Sequence, residues 1–165
     1  VSAPALEEIL LSFTRGGVDF VVIGGIAAII HGSARATYDI DVCYDRSREN
    51  VERLCRVVGP WKPRLRGAPE GLPFAFDPPT VVAGLNFTLS TDVGDLDLLG
   101  ELPGVGSWKE VVRRSMSVEI AGSSVQVLTI DALIDSKRAA GRKKDVEAVL
   151  ELEALRDLST GGSID

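Results

Sequence analysis

The chain has 165 residues, 45% of them hydrophobic and 25% charged, the size of one ordinary domain with enough apolar material for a core. This excludes a disordered or low-complexity protein, and 24 acidic against 18 basic residues, a formal charge of −6, exclude the whole-domain basic footprint usual in nucleic-acid binders. With one histidine and two cysteines, a zinc site built from His and Cys is ruled out, and a Ser-His-Asp relay would have to use His31.

Ala5 to Thr14 places Leu6, Ile9, Leu10 and Phe13 at helical spacing and ends at Gly16-Gly17. Val18 to Ile23 is short, β-branched and almost wholly apolar, the pattern of a strand buried on both faces. Gly24-Gly25 then turns the chain into a small-residue helix, Ile26 to His31. Thr37 to Tyr44 alternates as a second strand, and Ser47 or Asp45 caps a helix carrying Val51, Leu54, Cys55 and Val58.

Residues 60–79 hold six of the eight prolines and read as a long irregular connection. Strand patterns resume at Gly84 to Ser90 and Asp95 to Leu99, followed by a short helix from Trp108 to Arg114. Val118–Ile120 and Val125–Val127 flank Ala121-Gly122-Ser123-Ser124 as a hairpin, and Thr129 to about Leu158 is helical with a break at Gly141. The expected fold is mixed α/β (α+β), a mixed sheet flanked by helices with a C-terminal helical segment. Residues 1–160 are expected to form a single domain and 161–165 a flexible tail.

No apolar run reaches the ~20 residues of a membrane span, and the N-terminal stretch has no basic n-region, so no signal peptide is expected. Cys43 and Cys55 fall inside apolar patterns, which suits buried thiols in a reduced, cytoplasmic setting. His31, at the end of its helix, is expected to satisfy a backbone carbonyl. Trp61 and Trp108 are too isolated for base-stacking platforms and are expected to pack in the core or at an interface. Arg64 and Arg66 in the proline-rich connection are read as surface loop charge, with contact to a nucleic-acid backbone as the alternative.

The chemistry concentrates between Gly24 and Asp41. Thirteen residues separate Gly25 from Asp39-Ile40-Asp41, and alternation puts Asp39 and Asp41 on one strand face while Ile40 and Val42 point to the other. Two crowded, partly buried carboxylates repel, and a hard divalent cation with oxygen ligands is the simplest compensation. Asp95-Leu96-Asp97 repeats the pattern, so a strand beside the first would bring Asp97 in as a third carboxylate. Such a set, completed by substrate phosphates, is the usual Mg²⁺ site. The glycine pair lets a polyphosphate approach the backbone. Together these features suggest phosphoryl or nucleotidyl transfer.

The motifs VVIGGIAAIIHGSARATYDIDV at 21–42, GDLDLL at 94–99 and LIDSKRAAGRKKDVEAVLEL at 133–152 resemble the nucleotidyltransferase superfamily, the fold of DNA polymerase β and the CCA-adding enzymes. They are most similar to its small AbiE-toxin-like (MenT-like) bacterial members. The resemblance implies that Asp39, Asp41 and Asp97 hold Mg²⁺, in a two-metal site that Mn²⁺ can also fill. It implies that Gly24 and Gly25 contact the triphosphate of an NTP substrate. It also implies an NMP-accepting hydroxyl, with the tRNA 3′ end as the acceptor and an antitoxin protein as partner if the chain is a toxin.

Thr37 lies on the face of Asp39 and Asp41 if the strand already begins there, and Arg35 would pair with a triphosphate or with an acidic neighbour. The K…GRKKD order matches the active-site region of the family, implying Lys137 as a triphosphate ligand beside Arg142. Asp145 either orients Lys137, Arg142 or Lys144, or has a catalytic role of its own. On a continuous helix Lys137, Gly141 and Lys144 share one stripe, and the small residue leaves room for a base or ribose. Competing readings are a catalytically silent module of the same fold, a nucleotidyltransferase acting on a small molecule or protein, and a metal-dependent phosphodiesterase or nuclease.

Overall fold

The computed structural model describes residues 3–161. The tail expectation for 161–165 therefore falls, apart from Gly161, outside the described residues. Helix α1 (Ala3–Arg15) leads into β1 (Phe20–Ile23), which is buried throughout. Helix α2 (Gly24–Ile30) follows without a linker, so the two glycines form its first turn instead of preceding it. Strand β2 (Asp39–Tyr44) starts two residues later than alternation suggested. Its ladder partners on β1 and β5 begin opposite Asp41 and Asp39, which leaves Thr37 and Tyr38 outside the pairing.

Helix α3 (Arg48–Val58) is capped by Ser47, whose side chain accepts from the Asn50 amide. The proline-rich stretch is less irregular than its composition suggested. It holds a 3-10 turn (Gly59–Trp61), a two-residue edge strand β3 (Arg64–Leu65) and the start of α4 (Pro78–Ala83), which Asp77 caps. Prolines sit at helix starts and beside the edge strand, the places where a missing N–H is tolerated.

Strands β4 (Asn86–Thr91) and β5 (Gly94–Leu99) form a hairpin. A small ribbon of β6 (Glu101–Leu102) and β7 (Gly106–Ser107), which the sequence did not suggest, precedes α5 (Trp108–Arg113). Strands β8 (Ser115–Ile120) and β9 (Ser123–Leu128) are joined by Ala121-Gly122, both at positive φ (49° and 79°), as a two-residue primed turn requires. Gly141, at φ 63°, ends α6 (Ile130–Ala140) as a left-handed cap, and α7 (Lys143–Thr160) packs back against α6. The C-terminal segment is thus a helical hairpin, and Gly141 is explained by its backbone conformation.

Among the described residues the main sheet runs β3-β4-β5-β2-β1-β9-β8, mixed in direction: β2 is parallel to β5, β1 is parallel to β9, and the other neighbours are antiparallel. One face carries Val22, Ile40, Val42, Tyr44, Leu96 and Leu98, all fully buried. Phe20 on this face meets Phe13 of α1 edge-on at 5.2 Å, and Trp61 stacks on Phe13 at 5.9 Å. Trp61 and Trp108 both pack against the core. The opposite face carries aspartates, and α6 and α7 look onto it across a cleft.

Two other expectations concern groups away from the cleft. His31 Nε2 meets the Leu128 carbonyl at 2.8 Å, tying the end of α2 to β9. Both thiols are free, Cys43 buried and Cys55 half-buried, and burial raises them to about 12 and about 11, which keeps them protonated and unreactive.

Candidate active site

Strands β2 and β5 lie in parallel register, with Asp39 opposite Asp95 and Asp41 opposite Asp97. The two-residue period of each strand puts all four carboxylates on one face, in two adjacent rows. Thr88 and Ser90 of β4 continue these rows. Asp97 therefore meets the condition set for it by the sequence: it is next to the Asp39/Asp41 pair, and on the same side of the sheet.

Burial, followed by the charge and hydrogen bond of Asp97, pushes the Asp41 carboxyl up to about 7. Burial also raises Asp97, against the lowering effect of Arg66. Gly24 sits at φ 63°, and a Cβ there would overlap the Asp41 carboxylate. At Gly25 a Cβ would come within 2.7 Å of the Thr37 hydroxyl. The glycine pair thus makes room for Asp41 and Thr37.

A cleft of about 290 Å³ opens over the carboxylates. It is lined by Gly25, Arg35, Thr37, Asp39, Asp41, Asp97, Lys137, Arg142 and Asp145, together with Lys144, Ala148 and Leu152 of α7. The fold so gathers nine of the ten candidate residues around one space. Gly24 lies on the other side of Asp41, in an adjoining and more aliphatic hollow of about 330 Å³ with Leu99, Leu102, Leu133 and Lys137.

Several side chains have partners the sequence left open. The Thr37 hydroxyl donates to the Asp39 carbonyl at 3.3 Å, a loop bond that follows from the later start of β2. Arg35 pairs with Glu147 and Glu151 of α7 at 3.2 and 3.0 Å, the acidic-neighbour alternative. Glu151 also accepts from the Ala34 amide, clamping the loop before β2 to α7. Asp145, 2% exposed, accepts from the Arg142 backbone N–H and from Arg142 Nε at 2.8 Å, with Lys137 Nζ at 3.8 Å. Against burial, which raises it, the hydrogen bonds from Arg142 hold the Asp145 carboxyl below its ordinary value. It is thus a negative anchor that points two cations at the cleft.

Arg66, read from the sequence as surface loop charge, is instead a mostly enclosed residue of the site. It lies among the carboxylates, with Nη2 2.9 Å from Asp97, Nε 3.4 Å from Asp95 and Nη1 3.6 Å from Asp39. Its backbone N–H donates to the Thr88 carbonyl, continuing β3 one step, so its side chain faces along the aspartate row. The signal was Arg64-Leu65-Arg66, a strand-like alternation that composition-based reading of the proline-rich stretch obscured. Among the described residues no three acidic, His or Cys groups are arranged as they stand to hold a metal ion. The donors are nevertheless hard carboxylate oxygens, the kind a divalent cation takes, and Asp97 Oδ1 is buried with no aligned hydrogen bond although Arg66 Nη2 is 2.9 Å away.

Comparison with solved structures supplies the architecture's relatives. The chain is similar to the lincosamide antibiotic adenylyltransferase LnuA, solved with lincomycin, at 14% identity and a TM-score of 0.63, covering 94% of this chain and 98% of that one. It is similar to ANT(2″)-Ia in complex with adenylyl-2″-tobramycin at 17% identity and a TM-score of 0.57, covering 99% and 100%. A third match is an antigenic nucleotidyltransferase-like protein from Paracoccidioides brasiliensis, at 16% identity and a TM-score of 0.50, covering 94% and 78%. The fold is that of the nucleotidyltransferases. No protein-family model and no curated protein sequence matches the chain. No helix among the described residues is long and apolar enough to cross a membrane.

Proposed function

We propose that this chain is a Mg²⁺-dependent nucleotidyltransferase that moves an NMP from an NTP to a hydroxyl acceptor. The observation that carries the reading is the register pairing of Asp41 with Asp97, beside Asp39, on the floor of a cleft walled by Lys137 and Arg142. Asp39, Asp41 and Asp97 would hold Mg²⁺, or Mn²⁺ in its place. When bound, the metal would neutralise triphosphate charge and make the acceptor hydroxyl more acidic.

Lys137 and Arg142 bind the triphosphate oxygens, and Asp145 holds both cations in place so that little side-chain entropy is lost on binding. Asp97 takes the proton of the acceptor hydroxyl as its oxygen attacks the α-phosphorus. The bond from that phosphorus to the β-phosphate bridge breaks, and pyrophosphate leaves. The aliphatic hollow beyond Asp41 suits the base.

The acceptor is read as a hydroxyl-bearing small molecule. Two neighbours that are covered almost end to end are named for, or solved with, antibiotic ligands, and the charge of −6 offers little hold on a polyanion. The toxin reading, with a tRNA 3′ end and an antitoxin, is tested by the same experiment. Purified protein with Mg²⁺ and each α-³²P-labelled NTP is incubated with a panel of hydroxylated antibiotics, total tRNA or total protein. Label in the small-molecule fraction supports the reading, and label in tRNA moves the acceptor to RNA. No label in any fraction, with no thermal shift by Mg²⁺ and NTP, would leave the silent module standing.

A further inference from the structure

Arg66 joins four distant pieces of the chain. Besides its three carboxylate partners, Nη2 donates to the Leu89 carbonyl at 2.7 Å. The side chain is mostly enclosed, at 26% exposure, as is that of Asp97 at 21%. Yet the fit is one of charge more than of hydrogen bonding: Arg66 Nε and Asp97 Oδ1 are both buried with no aligned hydrogen-bond partner. Buried donors and acceptors that are left unaligned are costly, so this is a compensated arrangement with a better one within reach.

Four carboxylates on adjacent strands demand positive charge whether or not a metal is bound. Arg66 supplies it from outside the strands that bear the carboxylates. Its backbone is pinned to Thr88, while the next residue, Gly67, is at φ 78° with open space around it. Arg66 also lines the hollow that the 63–74 loop encloses beside Ser90, which gives the guanidinium a space to rotate into.

We propose that Arg66 is a resident counter-ion that occupies the carboxylate face of the metal-free protein and is displaced when a divalent cation binds. This rests on the nucleotidyltransferase reading of the site and adds a gate to it: the protein binds free metal weakly, because each ion must first evict a guanidinium. Arg66 is a positioning residue in this role, setting where Asp39, Asp95 and Asp97 point until the exchange.

The test is Mn²⁺ binding to the whole chain, followed by the paramagnetic signal of free Mn²⁺, for the wild type, Arg66→Gln and Arg66→Lys. The expected result is roughly tenfold or tighter Mn²⁺ binding by Arg66→Gln, about 1.4 kcal/mol, with Arg66→Lys between it and the wild type. Arg66→Gln should also melt lower than the wild type without metal and recover more when Mn²⁺ is added, a pattern that general structural damage would not produce. In the wild type, the Arg66 Nε–H resonance should shift on adding Mg²⁺, a readout that needs no variant.

Equal or weaker Mn²⁺ binding by Arg66→Gln, or a wild-type resonance that Mg²⁺ leaves in place, overturns the gate while leaving the nucleotidyltransferase reading intact. Failure of every form to bind Mn²⁺, with or without ATP, overturns both.

Discussion

Asp41 of β2 and Asp97 of β5 are register partners in a parallel strand pair, with both carboxyl groups on one face of the sheet. At most one of two such groups ionises readily in the absence of a cation. Burial comes first among the causes that raise Asp41 to about 7, so the folded, metal-free protein keeps a proton that the unfolded chain releases near pH 4. The contribution of this proton to stability is full below about pH 4 and is lost as pH rises toward about 7. The melting temperature of the metal-free protein should fall by about 5 °C across that window, and stabilisation by Mg²⁺ should grow over the same range because binding expels the proton. Differential scanning fluorimetry across pH, with and without Mg²⁺, checks both slopes. The lowered carboxyls of Asp145 and Glu151 act in another window, withdrawing stability only as pH drops below their unfolded values.

Asp41→Asn keeps the shape and removes one charge from the Asp39/Asp41/Asp97 face. The variant should stay folded, flatten the pH slope and melt at or above the wild-type temperature in metal-free solution at about pH 8. Nucleotide transfer to any acceptor should be lost, as scored by ³²P labelling.

Asp145→Asn removes the charge that holds Arg142 and Lys137. Breaking a buried charged partner is strongly destabilising, so the melting temperature should drop by several degrees. The Kd for an NTP, measured calorimetrically with Mg²⁺, should weaken about tenfold as both cations lose their orientation.

Gly24→Ala combines a left-handed φ of 63° with overlap on the Asp41 carboxylate. The conformational part alone costs about 1–2 kcal/mol, and displacing Asp41 should abolish Mg²⁺-induced stabilisation. Urea unfolding measures the first effect and a Mg²⁺ thermal shift the second.

Asn50→Ala tests the fold away from the cleft. This fully buried side chain accepts from the Asp19 N–H at 2.7 Å and donates to the Asp19 and Asp45 carbonyls at 3.0 and 2.7 Å. Its loss leaves the Asp19 N–H and the Asp45 carbonyl without these partners, while the Asp19 carbonyl keeps the Asp45 N–H at 3.2 Å, which should cost about 2–3 kcal/mol by urea unfolding with the cleft intact.

Local rules made much of the molecule legible. A two-residue alternation assigns Asp39 and Asp41, and separately Asp95 and Asp97, to a face opposite Ile40, Val42, Leu96 and Leu98, whichever strands lie alongside. The buried run at 20–23, the cap at Ser47, the hairpin around Ala121-Gly122 and the carbonyl-bound His31 are equally local, since each depends on residues close in sequence or on one group's need for a partner. Only the tertiary structure decided that β5 lies parallel to β2 in the register that sets Asp97 against Asp41. Only it showed that the chain turns back at Gly141 to aim Lys137 and Arg142 over the cleft, and that Arg66 crosses to the aspartates. Strand partners and long-range ion pairs are chosen by the balance of burial and charge over the whole fold, and no stretch of neighbouring residues carries that sum.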